Sequence, residues 1–514
     1  MTGWVDRLAA DRVSKSLSAD GTKLWQEERL RVNEAIGKIE RAWALTQDPL
    51  LAVQLCTMYD QANRNQDALV LLREAVRAHP RHALLRHHAA ITLLRHGAAE
   101  DVRDFFDSVL QLDPDDAFAQ IIVSLLEAYD PWVRELVQSI ASVGDHPPFV
   151  IAVPVWGQPF TDHFVRFCCA SLLSPNNLPE LAKRHSVHLV IFTSVETERF
   201  LAADPLFARL QDYATVRFVR YSEAQVGYGK AMEAAYGCEP VHYSDRSLAF
   251  YYARNCKFAL MSCAHYVAMA AGRIADAIVS CHVADTMLND GALTFMAERL
   301  AEDVDAVMLH GIQLPADALR PLLERDYRRD DGSLQLSSAD CERLLIDHLP
   351  QYNFASPDGR ARVPLRLCWR AGADGVLFHG NHYHPIALRP AAFDHPLRLT
   401  IDPVDSRFVD RTSLDLSRLH IVQDSSIVAL SLEQGPAPEQ LQAGALLSAD
   451  DMAFWLWGYW GRLRPVLFQL PLRFGARSEA WLPVEAAASE IVGDIVRRAA
   501  RLEDENKRRA TWRL

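Results

Sequence analysis

Apolar residues in the first 140 positions recur at the three-to-four-residue spacing that lines one face of a helix, interrupted by short polar turns. Two of those turns are alike: HPRHALLR at 79–86 and DPDDAFAQ at 113–120 set Pro80 and Pro114 34 positions apart. A fixed period of that length predicts stacked helix pairs. The first unit puts Leu55, Cys56, Tyr59, Ala68, Leu72 and Ala75 on its packing positions, and the second puts Ala89, Ala90, Leu93, Val102, Phe106 and Val109 there. Small residues let the paired helices approach, large ones fill the gap, and proline stops the second helix. DPLLAVQ at 48–54 and a helix over 120–129 supply partial neighbours, giving two to three units over residues 1–140.

At HPPFVIAVPVWG, 146–157, the helical period gives way to a continuous apolar run ended by a turn residue, the mark of a buried parallel strand. A helix over 161–173 follows, then strand VHLVIFTS at 187–194, a helix over 196–213 and strand ATVRFVRY at 214–221. The order β-α-β-α-β predicts an α/β domain over 146–435, with a mostly parallel sheet flanked by helices and a helical region over 436–514 behind it. Parallel sheets bind ligands beyond the carboxyl ends of their strands, which points to Pro154, Trp156 and Gly157 after the first strand and Thr193 after the second. A long helix over 247–272 leads into DAIVSCHVADTMLNDGAL at 276–293, an apolar strand running into Asp285 and Asp290, and AVMLHGIQ at 306–313 is a further strand.

Acidic residues at a strand end beside such a crevice are what a divalent cation needs to neutralise a diphosphate leaving group. This order of elements resembles the GT-A fold of nucleotide-sugar glycosyltransferases, and the front half resembles tetratricopeptide repeats. The resemblance implies a sugar nucleotide donor, a divalent metal (Mn2+ or Mg2+) held by Asp285 and Asp290, and a glycan, protein or lipid-linked acceptor. The family's paired aspartates stand two apart, whereas ADTMLND spaces Asp285 and Asp290 by five. The plainer reading of this pair is a helix cap and a turn carboxylate.

GADGVLFHGNHYHPIALRP carries His379, His382 and His384, and in extended chain His382 and His384 point to one side. The resemblance makes His384 the first candidate for a further metal ligand and His382 the second. Asp290 and Asp402, the latter in TIDPVD, are candidates for the catalytic carboxylate, with Asp424 of IVQDSS behind them. Arg254 and Lys257 share a face of the long helix, where two cations stabilise a departing diphosphate. An aromatic run from Phe454 through Trp457 to Trp460, followed by Arg462 and Arg464, has the makings of a membrane-contact helix, although such stripes are more often core.

Composition narrows the classes. A formal charge of -12 repels nucleic acid and anionic lipid alike. No stretch reaches the length of a spanning helix, the amino terminus lacks the apolar segment of a secretory signal, and nine cysteines form no CxxC pair. The expectation is a cytoplasmic protein with reduced thiols, at most peripheral at the inner membrane face. There is no GxGxxG after the first strand, no Walker A sequence and no GxSxG elbow, which argues against dehydrogenase, P-loop and hydrolase chemistry. Two functional readings stand: a transferase that takes a protein partner through its repeats, or a non-catalytic scaffold in surface-glycan assembly.

Overall fold

The computed structural model describes residues 2–140, 146–231, 248–373, 375–380, 383–423, 425–433, 446–458 and 461–511. Seven helices come first: α1 (Thr2–Glu27), α2 (Val32–Thr46), α3 (Pro49–Gln61), α4 (Asn65–Ala78), α5 (Ala83–His96), α6 (Ala99–Leu112) and α7 (Ala117–Ser139). Helices α3, α5 and α7 begin at 49, 83 and 117, so the 34-residue period read from the prolines is the period of the hairpins themselves. Asp48 caps α3 by accepting the Leu50 N–H at 2.9 Å, and Asp116 caps α7 through the Ala119 N–H at 2.9 Å. All twelve predicted packing residues of the two units are buried.

The α/β part is built on β1 (Phe149–Pro154), β2 (Val187–Thr193), β3 (Thr215–Arg220), β4 (Ile278–Cys281), β5 (Thr286–Leu288) and β6 (Ala306–Pro315). Strands β7 (Arg366–Arg370) and β8 (Val376–Gly380) belong to a small second sheet, and β9 (Tyr383–Leu388) returns to the main one. The last three strands are β10 (Leu419–Ile421), β11 (Ala429–Glu433) and β12 (Leu472–Phe474). The main sheet runs β3-β2-β1-β4-β9-β6-β11-β5, with β10 beside β6. Strands β1 to β4 are parallel neighbours, while β9 lies antiparallel between β4 and β6. The chain leaves β1 towards β2 and β3 and then comes back to β4 on the other side of β1, so the strand order reverses between β1 and β4.

Alternation along β1 explains how the sheet is covered. Val150 and Ala152 face one core, formed with the long helix Leu248–Ile274 and α7, while Phe149, Ile151 and Val153 face another, formed with the helices over 158–172, 195–210 and 292–301. The long helix ends against β4 at Gly272, where a Cβ would stand 2.4 Å from Val279 Cγ2, so only glycine allows this approach. The repeats are part of the same body. Tyr129 of α7 donates its hydroxyl towards the carbonyls of Tyr266 (3.0 Å) and Leu397 (2.8 Å), and Tyr252 donates to Ala83 at 3.1 Å.

Two expectations about the carboxyl-terminal part change. The region after 445 is not helical throughout, because β12 pairs antiparallel with β8 and completes the small sheet. The aromatic helix Ala449–Gly458 is core: Phe454, Leu456 and Trp457 are buried against α1, α3 and the terminal helix Trp481–Thr511, and the Trp457 indole donates to Glu503 at 3.2 Å. With its apolar face consumed by the protein, this helix has none to give a bilayer. Tyr459 and Trp460 lie outside the described residues. Among the described residues no helix is long and apolar enough to cross a membrane.

Candidate functional site

Pro154 closes β1, and the next turn exposes Gly157 at φ +80°, a left-handed conformation that favours glycine. Among the described residues a Cβ built on Gly157 would meet nothing within 4 Å, so none of them closes the backbone here to a ligand's approach. Trp156 is half-buried, its ring edge-on to Tyr221 at 5.8 Å, and Tyr221 is fixed by donating to the Leu260 carbonyl at 2.7 Å. Thr193 is different: its side chain is fully buried and its carbonyl accepts the Tyr221 N–H at 2.8 Å, so it supports the floor rather than facing the crevice.

The main sheet curls enough for residues 282–285 alone to carry the chain from β4 to β5 at the far end of the strand order. The His282 N–H bonds the Ala152 carbonyl of β1 at 2.9 Å, and the Asp285 carbonyl accepts from Leu432 of β11 at 3.3 Å. Asp285 is therefore laid across the carboxyl ends of the strands. Burial raises its carboxyl above the usual range, with the positive charge of Lys257 offsetting part of the rise. Lys257, from the long helix, also sits over the Phe160 ring at 5.5 Å, and Phe160 follows the Gly157 turn. One turn earlier Arg254 lies exposed, its guanidinium over Phe258 at 5.5 Å. Lys257 thus lies between the Gly157 turn, through Phe160, and Asp285, whose carboxyl its charge affects.

Asp290 has other company. Its carboxylate accepts from Ser174 Oγ (2.5 Å), the Asn176 N–H (2.9 Å), Asn176 Nδ2 (2.8 Å) and Gln335 Nε2 (2.9 Å). Burial pushes its carboxyl up, but those bonds outweigh it and hold it below the usual range. It shares none of these partners with Asp285 and acts as a knot between two loops, the turn-carboxylate reading of the sequence. Asp290→Ala is expected to lower stability by about 2–3 kcal/mol, since it strands several partly buried donors, and to leave ligand binding at the β1–β4 crevice unchanged. Urea unfolding with ligand titration checks both; a stable variant that no longer binds would put Asp290 back in the site.

The histidine triplet divides. His379 belongs to the small sheet, donating from Nδ1 to the Phe468 carbonyl at 3.1 Å, and His382 lies outside the described residues, as does Asp424. His384, on β9, stacks with His265 at 6.1 Å, and His265 donates from Nε2 to the His282 carbonyl at 2.9 Å. Burial pushes His265 down to about 4 and His282 down to about 3, so both rings are neutral near pH 7. Asp402 is almost fully buried against Arg411 (2.5 Å), Arg95 (3.3 Å) and Arg407 (3.8 Å). Burial raises its carboxyl, but the three guanidinium groups together hold it far below the usual range, which makes it a poor proton acceptor. Asp405 caps the helix Ser406–Asp410.

Among the described residues no three of His, Cys, Asp or Glu come together to hold an ion, and the positive charge of Lys257 acts on Asp285. Sequence reasoning missed Phe160, which lies under the Lys257 ammonium, and the fully buried Tyr221, His265 and His282; no local motif marks them.

No protein-family model matches this chain, and no curated protein does. Among solved structures it is similar to a variant of the Thermobaculum terrenum O-GlcNAc transferase, at 16% identity over 44% of this chain, with a TM-score of 0.19. The match spans 45% of that chain, less than half its length, and a likeness this slight carries no conclusion about activity.

Proposed function

We propose that this protein is a glycosyltransferase of GT-A-like arrangement whose β1–β4 crevice holds a sugar nucleotide. The observation that carries the reading is Lys257 lying between the Gly157 turn, through Phe160, and Asp285, at the point where strand order reverses, the place where open α/β sheets take their ligands. Trp156 offers a half-exposed ring face to a base. Lys257, with Arg254 behind it, neutralises the charge that grows on a departing diphosphate. Asp285, with its raised carboxyl, hydrogen-bonds a sugar hydroxyl. The donor's sugar passes to a glycan, protein or lipid-linked acceptor, and the repeats offer a surface to a partner.

The test is thermal melting of the full chain with UDP-, GDP- and CMP-sugars, each with Mn2+, Mg2+ or EDTA. One nucleotide class is expected to raise the melting temperature, and because one carboxylate beside one ammonium is a poor metal cage, the rise is expected to survive EDTA. Indifference to every donor would overturn the transferase reading and favour the scaffold.

A further inference from the structure

A cavity of about 690 Å³ lies where the repeats meet the α/β part, lined by Asp60, Asn63 and the start of α4, the end of α5, Tyr266, residues between 395 and 411, and Gly458, Gly461 and Arg462. Its size is that of a small-molecule site. Five arginines reach it: Arg95, Arg398, Arg407, Arg411 and Arg462. Against them stand three carboxylates, Asp60 and Asp410 in the wall and Asp402 beneath it, so two positive charges are in excess. Asp402 takes Arg95, Arg407 and Arg411 together. Arg398 and Arg462 donate instead to neutral backbone carbonyls, Arg398 to Gly97 and Leu399, Arg462 to Leu414 (3.1 Å) and Thr412 (2.7 Å). Both guanidinium groups are fixed in place by these bonds, and Asp410 offsets part of the Arg462 charge. His395, in the same wall, is pushed down to about 4, first by burial and then by Arg411, Arg398 and Arg273, as a positive field requires.

Another part of the lining is rich in neutral hydrogen-bonding groups beside the Asp60 carboxylate, which is paired with Arg95 at 3.2 Å. Asn63, Asn65 and Gln66, from the α3–α4 turn, supply them. Amides and a carboxylate at one end with guanidinium groups at the other match hydroxyls joined to a phosphate. We propose that this cavity binds a phosphorylated sugar, with the phosphate among Arg398, Arg407 and Arg462 and the hydroxyls on the α3–α4 turn. The half-enclosed walls, drawn from five parts of the chain, suit a free small molecule better than one carried on a polymer. The site is separate from the β1–β4 crevice and does not depend on the donor reading.

Isothermal titration of the full chain with glucose 6-phosphate, glucose and inorganic phosphate tests it. Glucose 6-phosphate is expected to bind, phosphate more weakly, and glucose not measurably at millimolar concentration. Arg407→Gln is expected to weaken glucose 6-phosphate tenfold or more, and Gln66→Ala, an exposed change that leaves the fold intact, to weaken it without affecting phosphate. Lys257→Ala is expected to bind as the unaltered chain does. Absence of binding, phosphate binding as tightly as the sugar phosphate, indifference to both Arg407→Gln and Gln66→Ala, or loss in Lys257→Ala would each overturn the proposal.

Discussion

Asp402→Asn is expected to destabilise this protein by about 3 kcal/mol, because it leaves three guanidinium groups around an uncharged amide at a buried joint. The amide keeps the shape and loses the charge, so the effect isolates the electrostatics. The pH dependence follows from the sign of the shift. Asp402 has a folded-state pKa below its unfolded value of about 3.9, so its stabilisation is fully present above that value and is lost as pH falls through the folded one. The unaltered chain should therefore shed this contribution in acid, and the variant should show that much less acid sensitivity. Urea unfolding at neutral pH and at descending acid pH measures both; a variant as stable as the parent at neutral pH would mean that the arginines find other partners at no cost.

The second large effect belongs to Lys257. A charged hydrogen-bond partner contributes about 1.5–3 kcal/mol, and each 1.4 kcal/mol is about tenfold in affinity. Lys257→Ala is accordingly expected to weaken the sugar nucleotide by about tenfold to a hundredfold. It also removes the charge that offsets the burial of Asp285, so that carboxyl should rise further above its usual range. Binding of the nucleotide diphosphate alone, followed by calorimetry, separates the two consequences: the diphosphate should lose as much as the whole donor does. Equal affinity in variant and parent would remove Lys257 from the phosphate position.

Much of the architecture could be read in the chain because it is local. The proline period located the hairpins, since a helix pair stacks only on another of the same length, and the apolar runs at 149–154 and 187–193 announced buried strands. Trp156, Gly157 and Asp285 could be placed just beyond strands for a related reason: strand ends follow from composition. What could not be read depended on distant partners. Asp290 resembles a ligand until Ser174 and Gln335, far away in sequence, fill its coordination. Asp402 resembles a catalytic base until Arg95, from the repeats, lies against it. The Phe454–Trp457 stripe was ambiguous because an apolar helix face looks the same whether lipid or the Trp481–Thr511 helix covers it. Three histidines within six positions suggested a cluster, yet the chain between His379 and His384 passes from one sheet to another.

The hydroxyl bridges from Tyr129 and Tyr252, and the apolar residues of α5 to α7 that share a core with the main sheet, bear on how such a chain is inherited. A bead on a string can be exchanged for another, but a half whose inner surface is moulded to its neighbour cannot. Cutting before residue 146 would bare Phe118, Ile122, Leu125 and Val133 on one piece and the outer side of the Leu248–Ile274 helix on the other. Each piece would lose the apolar cover the other supplies, so a substitution at the seam is felt on both sides of it.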